Sequence, residues 1–226
     1  NTRGTGANMG RADVLETFSI YGRQTTSSQE LSRILIKFPI TDISTDRTNG
    51  NIPASGSVSF YLRMYNAAHS KTVPVDYKLN VLAISQSWQE GVGLDLESYK
   101  NLTLGNEGAN WMSASNTTYW TDNAGTLLGG GSYLTGNSDT ETFLLTQSLT
   151  TGLENVDLDV TTIVEQWIGG AYSNYGFGVY LSASYEAYES GSADDTTSRT
   201  PGDLALDADD TTQSVIYNPS GSTKSY

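Results

Sequence analysis

Cysteine is absent from the chain, and histidine occurs once, at His69. The first absence excludes a disulfide framework, a thiolate metal centre, an iron–sulfur cluster and a thiol nucleophile. The second means that any Ser-His-Asp arrangement or multi-histidine metal site would have to be built around His69 alone. Positive charge is scarce too: 12 Lys and Arg against 25 Asp and Glu leave a formal net charge of −13. Nucleic acid is therefore not expected as the main partner, because binding to a phosphate backbone rests on Lys and Arg. No apolar run approaches membrane-spanning length, so no membrane insertion is expected. The start, Asn1-Thr2-Arg3-Gly4, has neither an initiator Met nor the form of a signal peptide, and Tyr226 ends a polar stretch. The chain reads as processed, or as a piece of something longer.

What is present suits strands. At 226 residues the chain is long enough for a sizeable core, although its hydrophobic fraction, 37%, is below the usual globular share. Fourteen Tyr, five Phe and four Trp make up buried area and favour sheet over helix. Charge is divided unevenly. Residues 1–100 carry ten basic and nine acidic side chains, a balance of +1; residues 101–226 carry two and sixteen, a balance of −14. Half of those sixteen acids lie between Glu186 and Asp210.

Strand signals follow in quick succession: Val14–Tyr21, Arg33–Phe38, Ser57–Tyr65 with apolar residues at 58, 60, 62 and 64, and Pro74–Ser85 with Val75, Tyr77, Leu79, Val81 and Ala83 on one face. A period of two with one apolar face describes a half-buried antiparallel sheet. Further strands are expected at Thr140–Leu145, at Tyr175–Leu181 and at Ser214–Tyr217. Residues 89–151 are rich in Gly, Asn, Ser and Thr, yet hold Trp111, Tyr119, Trp120 and Phe143. A structureless loop of that length is unusual in a compact domain, so short strands and aromatics that pin the segment to the body are expected. Val160, Ile163, Val164, Trp167 and Ile168 form one helical stripe, which predicts a single short helix at about 161–169. Thr162-x-x-Glu165 offers a capping box for it and Gly169-Gly170 a stop. The expected organisation is an arm or linker over 1–12, an all-β antiparallel sandwich over 13–189 with a long insertion at 89–151, and an acidic polar extension over 190–226.

Several segments, in order, resemble the DNRLRE-type β-sandwich modules of secreted polysaccharide-active proteins and viral structural proteins. They are Arg33–Phe38, Val58–Met64, Val81-Leu82 through Trp88-Gln89-Glu90-Gly91, Asn110-Trp111 with Trp120, and Asp159-Val160-Thr161 with Val164, Trp167, Gly170 and Asn174-Tyr175-Gly176. The resemblance covers roughly residues 10–185 and implies a jelly-roll-like sandwich without catalytic activity, used in secreted relatives for carbohydrate binding or adhesion. The 89–151 insertion is longer than the family's hairpins, and the 186–210 stretch has no counterpart in it. The Tyr-, Thr-, Asn- and Gly-rich style with long polar loops also resembles virion proteins of tailed phages.

The residues themselves offer few chemical constellations. Asp157 and Asp159 share one side of a strand and Glu154 the other, but no second carboxylate is identified across a substrate, as a glycosidase needs. Asp159 reads more simply as a polar residue at a helix entrance, where the dipole favours negative charge. Asn110, Trp111, Tyr119, Trp120 and Asp122, with Asn116, have the inventory of a sugar-stacking platform, the alternative being that these aromatics are core. Trp88 and Trp167 read as core. Asp194, Asp195, Asp203, Asp207, Asp209 and Asp210 leave three readings open: a solvated loop, a surface that docks on a basic partner, or oxygen ligands for Ca2+, although their spacing is not that of a calcium loop. No other cofactor is expected. His69 reads as an exposed turn residue, and Gly129-Gly130-Gly131 lacks the lysine and strand–helix context of a phosphate loop. Asn101-Leu102-Thr103 and Asn116-Thr117-Thr118 are formal glycosylation sequons.

Two functions follow as expectations. One is a non-catalytic structural protein of a virion (capsid decoration, neck, tail or fibre), acting through contacts with other subunits of a symmetric assembly. The other is a carbohydrate-binding or adhesion module of a secreted or cell-surface protein. An enzyme is not expected, because no nucleophile, base and orienting group can be assembled from these residues.

Overall fold

The computed structural model describes residues 8–22, 28–68, 75–93, 108–134 and 143–182, with Glu186 and the backbone of four short strands at 188–189, 198–199, 215–217 and 223–225. Most of its regular structure is strand in antiparallel sheets, joined by two helices. In chain order these are β1 (Phe18–Gly22), β2 (Ser28–Ser32), β3 (Ile34–Ile36), α1 (Thr41–Thr48), β4 (Tyr61–Met64), β5 (Tyr77–Ala83), β6 (Leu145–Leu149), β7 (Val156–Asp159), α2 (Thr161–Ile168) and β8 (Phe177–Leu181). The last four strands are β9 (Tyr188–Glu189), β10 (Ser198–Arg199), β11 (Val215–Tyr217) and β12 (Thr223–Ser225). A four-stranded sheet runs in the order β3-β8-β5-β6, and the other strands form two-stranded pairs β1-β2, β4-β7, β9-β10 and β11-β12.

The main core gathers one face of the four-stranded sheet, one face of the β4-β7 ribbon and the stripe of α2. Alternation puts Leu79, Val81 and Ala83 of β5 on the same side as Phe177, Val179 and Leu181 of β8. Leu62 and Val156 come from the ribbon, and Ile163, Val164 and Trp167 from α2. Burying each of these larger side chains contributes about 1.5–3 kcal/mol, which is how a helix of eight residues holds its place. Gly170, with φ +75°, ends α2 in the left-handed conformation, as the paired glycines indicated.

Four expectations need correction. There are two helices, not one. The sequence TDISTDRT of α1 has no apolar stripe and buries no residue; α1 is fastened instead by Arg47, whose Nη1 and Nη2 each donate to Glu165 of α2 at 2.8 Å. That pairing also removes the capping box. Thr162 lies inside α2, no side chain caps Val160, and the first helical amide, Thr161 N–H, donates to Asp159 Oδ1 at 2.9 Å. The expected strand at Thr140–Leu145 is displaced: residues 140–142 are outside the described part, and β6 begins only at Leu145. Finally, the strands are shorter than their sequence signals, Ser57–Tyr65 shrinking to Tyr61–Met64 and Pro74–Ser85 to Tyr77–Ala83.

The second face of the four-stranded sheet is covered by residues 108–134. Trp120, Ala109 and Ala114 join Ile84 in a smaller core against which Leu35, Trp88, Leu128, Tyr133 and Tyr175 pack. Isolated bridges Ser113↔Tyr119, Thr121↔Leu127 and Ile84↔Tyr133 give this layer a short meander and tie it to the sheet. Gly178 makes the contact possible, since a Cβ there would collide with the ring of Tyr133. The end of the expected 1–12 arm lies on the same layer. Asn8 is buried, and its Nδ2 donates to Glu90 O at 2.7 Å and Ala109 O at 2.6 Å, while its Oδ1 accepts from Gly10 N at 2.9 Å.

Candidate functional site

β3 turns Ile34 into the main core, which leaves Arg33 on the opposite face, under the 108–134 layer. Its Nε donates to Glu186 Oε1 at 2.8 Å, its Nη2 to Glu186 Oε2, and its Nη1 to Gly130 O at 2.9 Å. Aromatic rings surround the guanidinium, with centroids 4.6 Å away for Tyr180, 5.0 Å for Trp111 and 5.9 Å for Tyr133. Burial works against the charge, but the hydrogen bonds and attraction of Glu186 outweigh it and the Arg33 pKa rises above its ordinary value. Tyr133 donates its hydroxyl to Gly130 O at 2.7 Å, and burial pushes the phenol up to about 12. The knot joins three distant parts of the chain and is occupied by its own partners, so its chemistry is that of a tether. In the sequence Arg33 was only the head of an apolar, family-like strand and Glu186 only the first acid of the 186–210 stretch, and nothing paired the two.

The expected sugar platform does not come together as one surface. Trp120 has 0% exposure and donates its indole N–H to Asn110 O at 2.8 Å. It is core, because a fully buried ring has no face to offer a sugar. Trp111 is half-buried against Arg33. Asn110 Oδ1 accepts from Met112 N and Ser113 N, and Asp122 Oδ1 from Ala124 N and Thr126 N, so both shape turns. The amide of Thr126 above all holds the Asp122 carboxyl below its ordinary pKa. Tyr119, 58% exposed, and Asp122 are the members left open to solvent, and Asn116 is exposed in the meander turn. Trp167 is core as expected, and Trp88 packs on the smaller core with its indole N–H donated to Tyr175 O at 2.7 Å.

A cleft of about 490 Å³ opens beside this layer, lined among others by Ser85, Asp122, Asn123, Ser132, Phe143 and Tyr172. Ser85 Oγ and Ser132 Oγ are 2.6 Å apart, and Ser132 Oγ donates to Thr121 O at 2.8 Å. Phe143 and Tyr172 meet edge to face at 5.0 Å on another wall. Of the expected platform residues, Asp122 reaches this cleft.

The ribbon carries the three carboxylates weighed as a catalytic group. Asp157 pairs with Arg63 at 3.2 Å, both side chains more than half exposed, and Asp159 accepts from the first amide of α2, its pKa lowered first by its hydrogen bonds with Thr161. Glu154 accepts from Thr151 N at 2.8 Å and Thr150 N at 3.0 Å, and these amides, Thr151 first, hold its carboxyl down to about 2. All three are employed in local structure. Asp194, Asp195, Asp203, Asp207, Asp209 and Asp210 lie outside the described residues, as do His69 and the sequon at Asn101. Among the described residues, no three Asp, Glu or His side chains are grouped to hold a metal ion, and no helix is long and apolar enough to cross a membrane. No family model, curated protein or solved structure matches the chain.

Proposed function

We propose that this chain is a non-catalytic structural module of a larger assembly, most plainly a virion protein of a phage that decorates the capsid or builds the neck, tail or fibre. It acts through contacts with other subunits of a symmetric assembly, in a virion or extracellular setting. Its antiparallel sheets, helix α2 and the residues quoted above support reading it as a jelly-roll-like sandwich similar to DNRLRE-type modules. The observation that carries the proposal is a division of labour among the described side chains. Ionic and polar side chains fasten segments to one another (Arg33–Glu186, Arg47–Glu165, Asp159 and Glu154), whereas Tyr61, Tyr65, Tyr119, Leu127 and Leu153 stay more than half exposed. A rigid body with outward aromatic and aliphatic side chains gains by burying them against a partner. The acidic run Asp194–Asp210 supplies, on this reading, a second docking surface for a basic neighbour. Electron microscopy of the native source tests it: repeated copies are expected, and a solitary chain in its native setting overturns it.

The cleft favours a second reading, carbohydrate binding. It combines hydroxyls at Ser85 and Ser132, a carboxamide at Asn123 and the rings of Phe143 and Tyr172, within the size range of small-ligand pockets. Affinity electrophoresis through polysaccharide gels tests it. Retention that falls in Asn123→Ala without loss of stability supports it; no retention on any polysaccharide removes it.

A further inference from the structure

The β4-β7 ribbon has two edges, and the chain treats them differently. The register pairs Leu62 with Leu158 and Met64 with Val156, and Val160 N donates to Phe60 O at 2.8 Å just beyond. Antiparallel pairing alternates, so residues 60, 62 and 64 direct their backbone groups at β7, while those of Tyr61, Arg63 and Tyr65 point away from it. The outer edge of β7 is closed by a side chain. Gln147 of β6 accepts from Asp157 N at 2.9 Å and donates to Asn155 O at 2.8 Å, so its carboxamide stands where a neighbouring strand's peptide group would be. Among the described residues, nothing takes the corresponding groups on β4.

The side chains beside that edge are also uncovered. Tyr65 is 81% exposed and Tyr61 53%, and Arg63, its guanidinium 5.6 Å from the Tyr61 ring, is open to solvent. Leu153, 61% exposed, lies at the same end of the ribbon, where Asn66 donates to Gly152 O and to Asn155 Oδ1. Natural sheets usually blunt such an edge with charge. The one charge here, Arg63, is answered by Asp157 of the same ribbon.

We infer that the free edge of β4 is a homotypic strand-pairing site whose occupant is β4 of a second copy, joining two ribbons into one antiparallel sheet. The inference rests on the assembly reading above and gives it a contact. A second copy can be laid antiparallel to this edge about Met64 of Tyr61-Leu62-Arg63-Met64-Tyr65. A two-fold axis there sets Arg63 opposite the partner's Tyr65, and the reverse contact follows by symmetry. Each pair exchanges two backbone hydrogen bonds, and each guanidinium then lies between its own Tyr61 and the partner subunit's Tyr65. A register centred on Arg63 would set like charges directly opposite and is disfavoured.

The test uses the full chain. Sedimentation velocity across a concentration series should show a reversible dimer, and Tyr65→Pro should abolish it with the thermal unfolding unchanged, because the lost N–H points away from β7. The absence of native cysteine permits a second arm that does not depend on that variant folding. Copies carrying Arg63→Cys mixed with copies carrying Tyr65→Cys should form disulfide-linked dimers severalfold faster than either alone. A monomer at every concentration, or a dimer indifferent to Tyr65→Pro with no preference for the mixed cysteines, overturns the inference. Repeated copies in the native source without the mixed cross-link would sink the strand pairing alone and leave the assembly reading standing.

Discussion

Arg33 and Glu186, 153 residues apart, form a two-pronged ion pair beneath the layer built by residues 108–134. Both side chains are largely buried, so two desolvated charges face each other and the cost of burying them is offset by their attraction and hydrogen bonds. Replacing Glu186 by Ala leaves a buried guanidinium with Gly130 O and the surrounding rings but no opposing charge in the knot, at a cost of about 3–5 kcal/mol. Chemical denaturation followed by tryptophan emission measures this, since Trp111 sits over the same guanidinium. A loss below about 1 kcal/mol, within the range of a surface pair, would show that the tether is dispensable.

Trp120→Ala and Trp111→Ala separate core from surface. Trp120 has no exposure and donates to Asn110 O, so its truncation costs about 3–5 kcal/mol and loosens the meander. Trp111→Ala removes a half-buried ring and a cation–π contact, and its cost is smaller. Melting curves of the two variants rank them directly, and equal stability would place Trp120 on the surface.

Gly178→Ala puts a methyl group into the Tyr133 ring. Overpacking of this kind costs about 1–3 kcal/mol, and here it acts on the contact between sheet and covering layer. Faster amide exchange at Leu134, whose N–H donates to Ala83 O across that contact, is the expected signature. Tyr133→Ala combined with Gly178→Ala removes the collision, so the glycine's share of the cost should disappear in the double variant.

Glu154 makes stability depend on acid. Its carboxyl, held down to about 2 by the amides of Thr151 and Thr150, sits below the ordinary glutamate value of about 4.3. A depressed pKa stabilises the folded state above the unfolded value, and that contribution is lost as pH falls through the folded one. The difference in melting temperature between the wild type and Glu154→Gln should therefore be constant above about pH 5 and shrink steadily toward pH 2. A difference that ignores pH would remove the carboxylate from this turn.

Gln147→Ala should uncover the closed edge of the ribbon. Its carboxamide holds Asp157 N and Asn155 O, so hydrogen exchange at the Asp157 amide rises while β5-β6 pairing persists. Unchanged exchange would mean that another group covers that amide.

How far the sequence could be read depends on where each residue finds its partner. The stripe Ile163, Val164, Trp167 announced α2 because a helix writes its buried face at a spacing of three and four, and alternation announced β4 and β5 for the same reason. Helix α1 left no such trace. Its hold is the bidentate pair between Arg47 and Glu165, 118 residues away, and a long-range ion pair has no period. Glu165 looked like half of a capping box because Thr162 stands three residues before it; distance along the chain favoured a local bond and the fold chose a remote one. Asn8 reads as a linker residue in any local window, yet it is buried and bound to Glu90, Gly93 and Ala109, more than eighty residues away. The platform suggested by Trp111, Tyr119 and Trp120 failed on the alternation of its own short strand, which turns Trp120 inward when Tyr119 faces out.

The carboxamide of Gln147 also bears on valency. With the β7 side stopped by a side chain and, among the described residues, only the β4 side left unpaired, the proposed pairing would let the ribbon accept one neighbour and leave no second strand edge for a third. On that proposal association through it terminates at two ribbons, and this element would not seed an endless fibre. Any higher order in an assembly must be generated by a different surface of the molecule.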